Sequence, residues 1–268
     1  MTNKRSVEWA KQFVTLGGVA LSAHDAPLFE SYARGDMSLR DVRTSLMKRY
    51  EATERVLLDE AKRDPYVVEG SDVLRNRFGV TDEATLASIE AAYGVLTLLE
   101  ARQVSFLLTK DGVYDVHRAL FQDVYDWAGE PRLRNVYKAE RVLGGMSVDY
   151  ADVTVVDEAL DRAVRRLIVD PWRETTRRAR IETFARAFVD VWTVHPFREG
   201  NTRTLTFFAY RVAASHGVTI DARLLTRRPV HFREALVVAS LGEYAERGPV
   251  EALLDEAWFE ADSYLNES

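Results

Sequence analysis

The chain has 268 residues, 47% of them hydrophobic and 29% charged, enough to bury a sizeable core in one large domain or one domain with a small appendage. A net charge of −6 argues against general nucleic-acid binding, and the lack of cysteine excludes disulfides, thiolate nucleophiles and cysteine-ligated zinc or iron–sulfur centres. No run of about 18 apolar residues is read as a membrane span, and the charged start from Met1 to Gln12 is unlike a secretory signal. The cytoplasm is therefore the expected compartment, with delivery to another cell by a specialised route left open.

Hydrophobic spacing is helical nearly everywhere. The first 50 residues read as two or three short helices, punctuated by Gly17-Gly18, Pro27 and Gly35. Ser38 followed three residues later by Asp41 predicts an N-cap close to a capping box. A charged helix then runs to about Arg63 as a linker over 51–65, broken at Asp64-Pro65. From Tyr66 to the end, 66–268, the chain reads as one compact unit. Leu86, Ile89, Tyr93, Leu96 and Leu99 recur at helical spacing, as do Leu160, Val164 and Leu167. Phe184, Phe188, Val191 and Trp192 form another stripe, and Leu205, Phe208 and Val212 continue it. The Arg177, Arg178, Arg180 and Arg227, Arg228 runs read as solvated helix ends. Period-two alternation is scarce; its best candidate is Leu133 to Val148, with Gly144-Gly145 as a hairpin turn. The expected fold is mainly α, a helical bundle with one small β-hairpin and a short N-terminal helical segment.

The chemistry-bearing stretch is His195-Pro196-Phe197-Arg198-Glu199-Gly200-Asn201-Thr202-Arg203. It lies between two amphipathic helices, Pro196 ending the first and Gly200-Asn201 opening the second. His195 titrates near neutrality and suits a general base. Glu199 offers a hard oxygen ligand of the kind Mg²⁺ takes. Gly200 and Asn201 lie at a helix N-terminus, where backbone N–H groups and the dipole favour anions. Arg203, about one turn in, can grip phosphate bidentately. Taken singly, each has a plain structural use: a histidine before proline caps or packs, and Glu-Gly-Asn is an ordinary inter-helix turn. Together they point to a phosphate-handling site, with Phe197 as the apolar anchor of the loop.

This stretch resembles the Fic-family signature, His-Pro-Phe-x-Asp/Glu-Gly-Asn-Gly-Arg. Leu120-Phe121-Gln122-Asp123-Val124-Tyr125-Asp126-Trp127-Ala128-Gly129-Glu130 resembles the family's helix ending in Trp-Ala-Gly-Glu. Tyr137 to Val148 falls where Fic proteins carry a β-hairpin flap that positions the target. The resemblance covers roughly Tyr66 to Trp258. It implies adenylyl transfer, in which a target hydroxyl attacks the α-phosphate of ATP and pyrophosphate leaves. Carried over residue by residue, His195 is the base and Glu199 the Mg²⁺ ligand. Phe197, Arg198, Gly200, Asn201, Thr202 and Arg203 form the nucleotide-contacting loop, and Tyr244 is a further lining residue or, alternatively, a core tyrosine.

Two positions depart from the pattern. Thr202 replaces the second glycine of Gly-Asn-Gly, adding bulk beside the phosphates; a related branch with Lys there transfers a phosphoryl group. Thr206 stands where many members carry a second Arg. The first 50 residues resemble the small antitoxin fused to or accompanying many Fic toxins, best at Ala33 to Val42. Its inhibitory Ser/Thr-x-x-x-Glu-Gly/Asn aligns with Thr15-Leu16-Gly17-Gly18-Val19-Ala20, Val19 standing for Glu. A packing role for 1–50 is the plain alternative. The expected partners are a target protein at the flap, about 137–148, and a separate antitoxin or oligomer partner. Alternatives to adenylyl transfer are phosphoryl or other nucleotide transfer by the same fold, and a partner-binding module.

Overall fold

The computed structural model describes residues 3–52 and 64–260. Most of the expected helical linker, 53–63, lies outside the described residues. The chain divides into two compact units, one of residues 1–106 with 115–130, the other of 107–114 with 131–268.

The first unit begins with α1 (Asn3–Val14), α2 (Ala26–Arg34), α3 (Leu39–Arg49) and α4 (Glu83–Ala101). The capping box forms as expected: the Ser38 N–H donates to Asp41 Oδ2 at 2.9 Å, and the Asp41 N–H donates to Ser38 Oγ at 3.2 Å. α3 stops at Arg49, where Tyr50 caps it in extended backbone. α4 is apolar almost all round and is buried from Leu86 to Ala101 with few breaks, so it is the axis of this unit. By length and composition alone, with a mean hydropathy of 1.2, it would be long and apolar enough to cross a membrane. Here 72% of that stretch is buried inside the protein, so its apolar surface goes into the core. α1 packs along α4, and its Phe13 and Val14 are both fully buried. Gly94 makes the close approach possible, since a Cβ there would lie 2.9 Å from Val14 Cγ1. Residues of the 66–106 stretch thus pack with the N-terminal helices.

α5 (Lys110–Phe121) starts in the second unit and ends in the first. The second unit continues with α6 (Val156–Val169), α7 (Arg177–Val194), α8 (Asn201–Ser215), β1 (Val218–Ile220), α9 (Ala222–Thr226), α10 (Pro229–Ala239), α11 (Gly248–Ala257) and β2 (Trp258–Glu260). α7 lies at its centre, packed on α6, α8, α10 and α11 with Phe184, Phe188, Val191 and Trp192 buried. The first of the expected Arg runs ends in ion pairs: Arg177 with Asp255, Arg178 with Glu182 and Arg180 with Glu260.

The paired strands are β1 and β2, antiparallel with Thr219 opposite Phe259. The segment from Leu133 to Val148 turns back at Gly144-Gly145 as expected, both at positive φ. The Glu140 N–H bonds Met146 O and the Gly145 N–H bonds Glu140 O, the other backbone bonds here are those of a tight turn over 140–146, and no ladder forms. Side chains hold it instead.

Candidate functional site

His195 precedes a proline, which disfavours the right-handed helical region for it. α7 therefore ends there, with His195 in the left-handed region at φ 51, and its N–H returns to Trp192 O. Among the described residues it is the non-glycine residue with positive φ. The buried Arg132 secures this corner. Its Nε donates to His195 O at 2.9 Å and its backbone N–H to Pro196 O at 2.8 Å, while Nη2 donates to Ala151 O.

The His195 ring is fully buried. It stacks on Tyr150 at 3.9 Å and meets Trp192 edge-on at 5.2 Å. Nδ1 lies 3.3 Å from Trp192 O, which assigns the proton to Nδ1. Nε2 then carries a lone pair and has no hydrogen-bond partner. Burial, with the Lys138 and Arg233 charges adding to it, holds the imidazole pKa well below its ordinary 6.5. A neutral ring with one unspent lone pair is the form a general base needs.

The loop after it is braced from inside. The Phe197 ring is fully buried and meets Tyr114 edge-on at 5.8 Å, as an apolar anchor should. The Asn201 side chain clamps the same residue twice, accepting from the Phe197 N–H at 2.9 Å and donating to Phe197 O at 2.7 Å. Gly200, at φ 79, caps α8, and its N–H donates to Glu199 Oε1 at 2.9 Å. With the Asn201 side chain spent, what that residue has left for an anion is its backbone N–H in the first turn of α8. Glu199 Oε2 accepts from Lys138 Nζ at 2.9 Å. Burial pushes the Glu199 carboxyl up, but Lys138, the Gly200 N–H and Arg203 outweigh it and hold the group ionised far below its usual range. Arg203 is buried in the first turn of α8, and Arg198 is half-exposed.

Residues 107–213 match the family model described as Fic/DOC family. The chain carries a Fic/DOC-family domain. It is 30% identical over 166 residues to "Protein adenylyltransferase VbhT" of Bartonella schoenbuchensis, spanning 60% of this chain but 33% of that protein. It is 28% identical over 211 residues to "Probable protein adenylyltransferase y4lH" of Sinorhizobium fredii, spanning 74% of this chain and 95% of that one. Among solved structures, the N-terminal Fic domain of a VirB-translocated effector from Bartonella quintana superposes with a TM-score of 0.62 at 21% identity, over 75% of this chain and 94% of that one. BepC from Bartonella tribocorum, with bound AMPPNP, gives 0.60 at 18% identity, over 73% and 96%. At these identities the structural likeness establishes the Fic fold.

Sequence reasoning missed four residues that surround the candidate site. Lys138 and Glu140 come from the flap segment, Tyr150 from just after it, and Arg233 from α10. Three ion pairs tie the flap down: Lys138 to Glu199, Glu140 to Arg233 at 2.5 Å, and Arg141 to Glu234 at 2.6 Å. The first two could have been suspected from the charges inside the expected flap; nothing in the sequence marked Arg233. Tyr244 stands 77% exposed in a tight turn at Gly242–Tyr244, so the alternative of a core tyrosine is not what the fold has. Thr206 is buried and its hydroxyl lacks a partner.

Proposed function

We propose that the chain is a protein adenylyltransferase that moves AMP from ATP to a hydroxyl side chain of a target protein. The observation that carries this reading is the partnerless Nε2 of a buried, neutral His195 a few residues before the anion-attracting end of α8. Nε2 takes the proton of the target hydroxyl as its oxygen attacks the α-phosphorus. A new O–P bond forms, the bond from the α-phosphorus to the β-bridging oxygen breaks, and pyrophosphate leaves. The first turn of α8 and Arg203 hold the phosphates, so the work is positioning and charge stabilisation. The His195 ring is fully buried, so a target side chain reaches it only once flap side chains move aside. Tyr137, Val142 and Met146 are exposed on that flap and offer apolar contacts to a target segment.

Mg²⁺ fits the donor set. Glu199 Oε2 already faces a cation in Lys138, and among the described residues no cluster of three or more acidic or histidine side chains forms a larger cage. One carboxylate, completed by phosphate oxygens and water, is how Mg²⁺ is commonly bound beside nucleotides. When bound, the ion neutralises phosphate charge.

Thr202 favours a second reading, phosphoryl or other nucleotide transfer, because its side chain occupies space that a glycine leaves to the donor. A partner-binding module is the third. Full-length protein incubated with a cell lysate and either α-labelled or γ-labelled ATP separates them. Label transferred from the α-position alone supports adenylylation, from the γ-position alone phosphorylation, and no label the module. We further read residues 1–50 as a degenerate lock. Deleting them should leave the self-labelling rate of soluble protein unchanged, and a large rise would mean that the segment inhibits through other contacts.

A further inference from the structure

We infer that Thr202 and Arg233 together form a phosphate contact of the nucleotide site, an inference that rests on the nucleotide-transferase reading above. Thr202 is the second residue of α8 and is almost wholly buried. Its Oγ accepts from Trp192 Nε1 at 3.1 Å and from Arg233 Nη1 at 3.4 Å. A hydroxyl oxygen has two lone pairs and one proton. Both lone pairs are thus engaged, and among the described hydrogen bonds the proton is donated to nothing. A buried hydroxyl whose acceptor capacity is filled can satisfy itself only by donating to an acceptor that arrives from outside. The place where it waits is the first turn of α8, the position that attracts anions.

Arg233 reaches the same point from α10. Its guanidinium lies 5.8 Å from the Trp192 ring centroid, and Glu140 holds its Nε at 3.2 Å and its Nη2 at 2.5 Å. Nη1 is the edge presented to Thr202. Glu140 therefore orients the fork without covering that edge. A guanidinium and a hydroxyl donor side by side at a helix N-terminus recognise a phosphate oxygen and offer nothing specific to an uncharged nucleoside. A glycine at 202 could supply neither the hydroxyl nor the link between Trp192 and Arg233, so the threonine creates a contact as well as adding bulk.

The test is calorimetric titration of ATP and, separately, adenosine into the full chain and its variants. Thr202→Val keeps the shape and removes the hydroxyl; Arg233→Ala removes the guanidinium; Arg233→Lys keeps the charge without the fork. We expect ATP affinity to fall about 10-fold for Thr202→Val and about 10- to 100-fold for Arg233→Ala, as for hydrogen bonds to a charged group. Arg233→Lys should recover part of that loss, and adenosine affinity should stay within twofold throughout. Combining Thr202→Val with Arg233→Ala should cost less than the product of the single losses, because the two groups act on one oxygen. The inference is overturned if the Thr202 and Arg233 variants bind ATP within twofold of the unaltered chain. It is equally overturned if adenosine weakens in step with ATP, since that outcome assigns these residues to packing alone. Should Arg233→Ala fail to fold, Thr202→Val and Arg233→Lys decide the matter. An unaltered chain that binds no ATP overturns the transferase reading itself, whereas one that binds ATP and ignores these substitutions overturns only this inference.

Discussion

Replacing Asn201 by alanine should unlatch the loop that carries the site. The side chain makes two hydrogen bonds to one buried residue, 2.9 Å from the Phe197 N–H and 2.7 Å to Phe197 O. Truncation removes both and strands a buried backbone donor and a buried backbone acceptor. Each stranded group costs about 1–3 kcal/mol, so a total loss of about 2–4 kcal/mol is expected, allowing for some relaxation. For a protein of this size that corresponds to a fall of roughly 5–15 °C in Tm. Denaturant and thermal unfolding of the full chain measure it, and ATP titration on the same protein reports whether the first turn of α8 has lost its alignment. A loss under about 1 kcal/mol would refute the reasoning, because the loop would then be held by Phe197 packing without the clamp.

Acidification acts through His195. Burial and the neighbouring Lys138 and Arg233 charges hold its folded pKa below 6.5, so the unfolded chain takes up that proton first and stability falls as pH drops below 6.5. The acid limb of kcat/KM should lie below pH 6.5 for the same reason, and a limb centred above neutrality would contradict the assignment. Glu199→Gln should abolish the strengthening of ATP binding by Mg²⁺; equal strengthening in both proteins would remove Glu199 as the ligand. Gly129→Ala should lose about 2–4 kcal/mol in denaturant unfolding, because the residue sits at φ 83 and a Cβ would lie 2.8 Å from Arg118 Cβ. A loss below about 1 kcal/mol would show that the corner relaxes freely.

How much of this was legible in the sequence follows from the range of the forces involved. The Ser38–Asp41 capping box, the helical stripes of α4, α6, α7 and α8, and the break at His195-Pro196 all depend on residues within about one or two turns of one another. Local spacing suffices for them. The nine residues from His195 to Arg203 are likewise contiguous, so the proposed base, the proposed acidic ligand and the helix-opening turn could be read off directly. The flap was legible as a chain reversal at Gly144-Gly145 and not as a strand pair. Lys138, Glu140 and Arg141 direct their side chains to Glu199, Arg233 and Glu234, and those bonds, invisible in a period-two pattern, hold the segment in place of a ladder.

The sequence by itself determined a mainly helical chain with a Fic signature at 195–203. Only the tertiary structure decided which distant groups surround that signature. Arg233 lies 31 residues from Thr202 along the chain, and the packing of α10 against α7 brings it over Trp192. Arg132 lies 63 residues from His195 and holds its carbonyl. It also decided how groups already in view are used: the Asn201 side chain is spent on Phe197, the Gly200 N–H on Glu199, and the Nδ1 side of His195 on Trp192. The physical reason is that helix periodicity is a short-range property of the chain. The convergence of charges on a buried imidazole comes from non-local burial, which one-dimensional spacing does not encode.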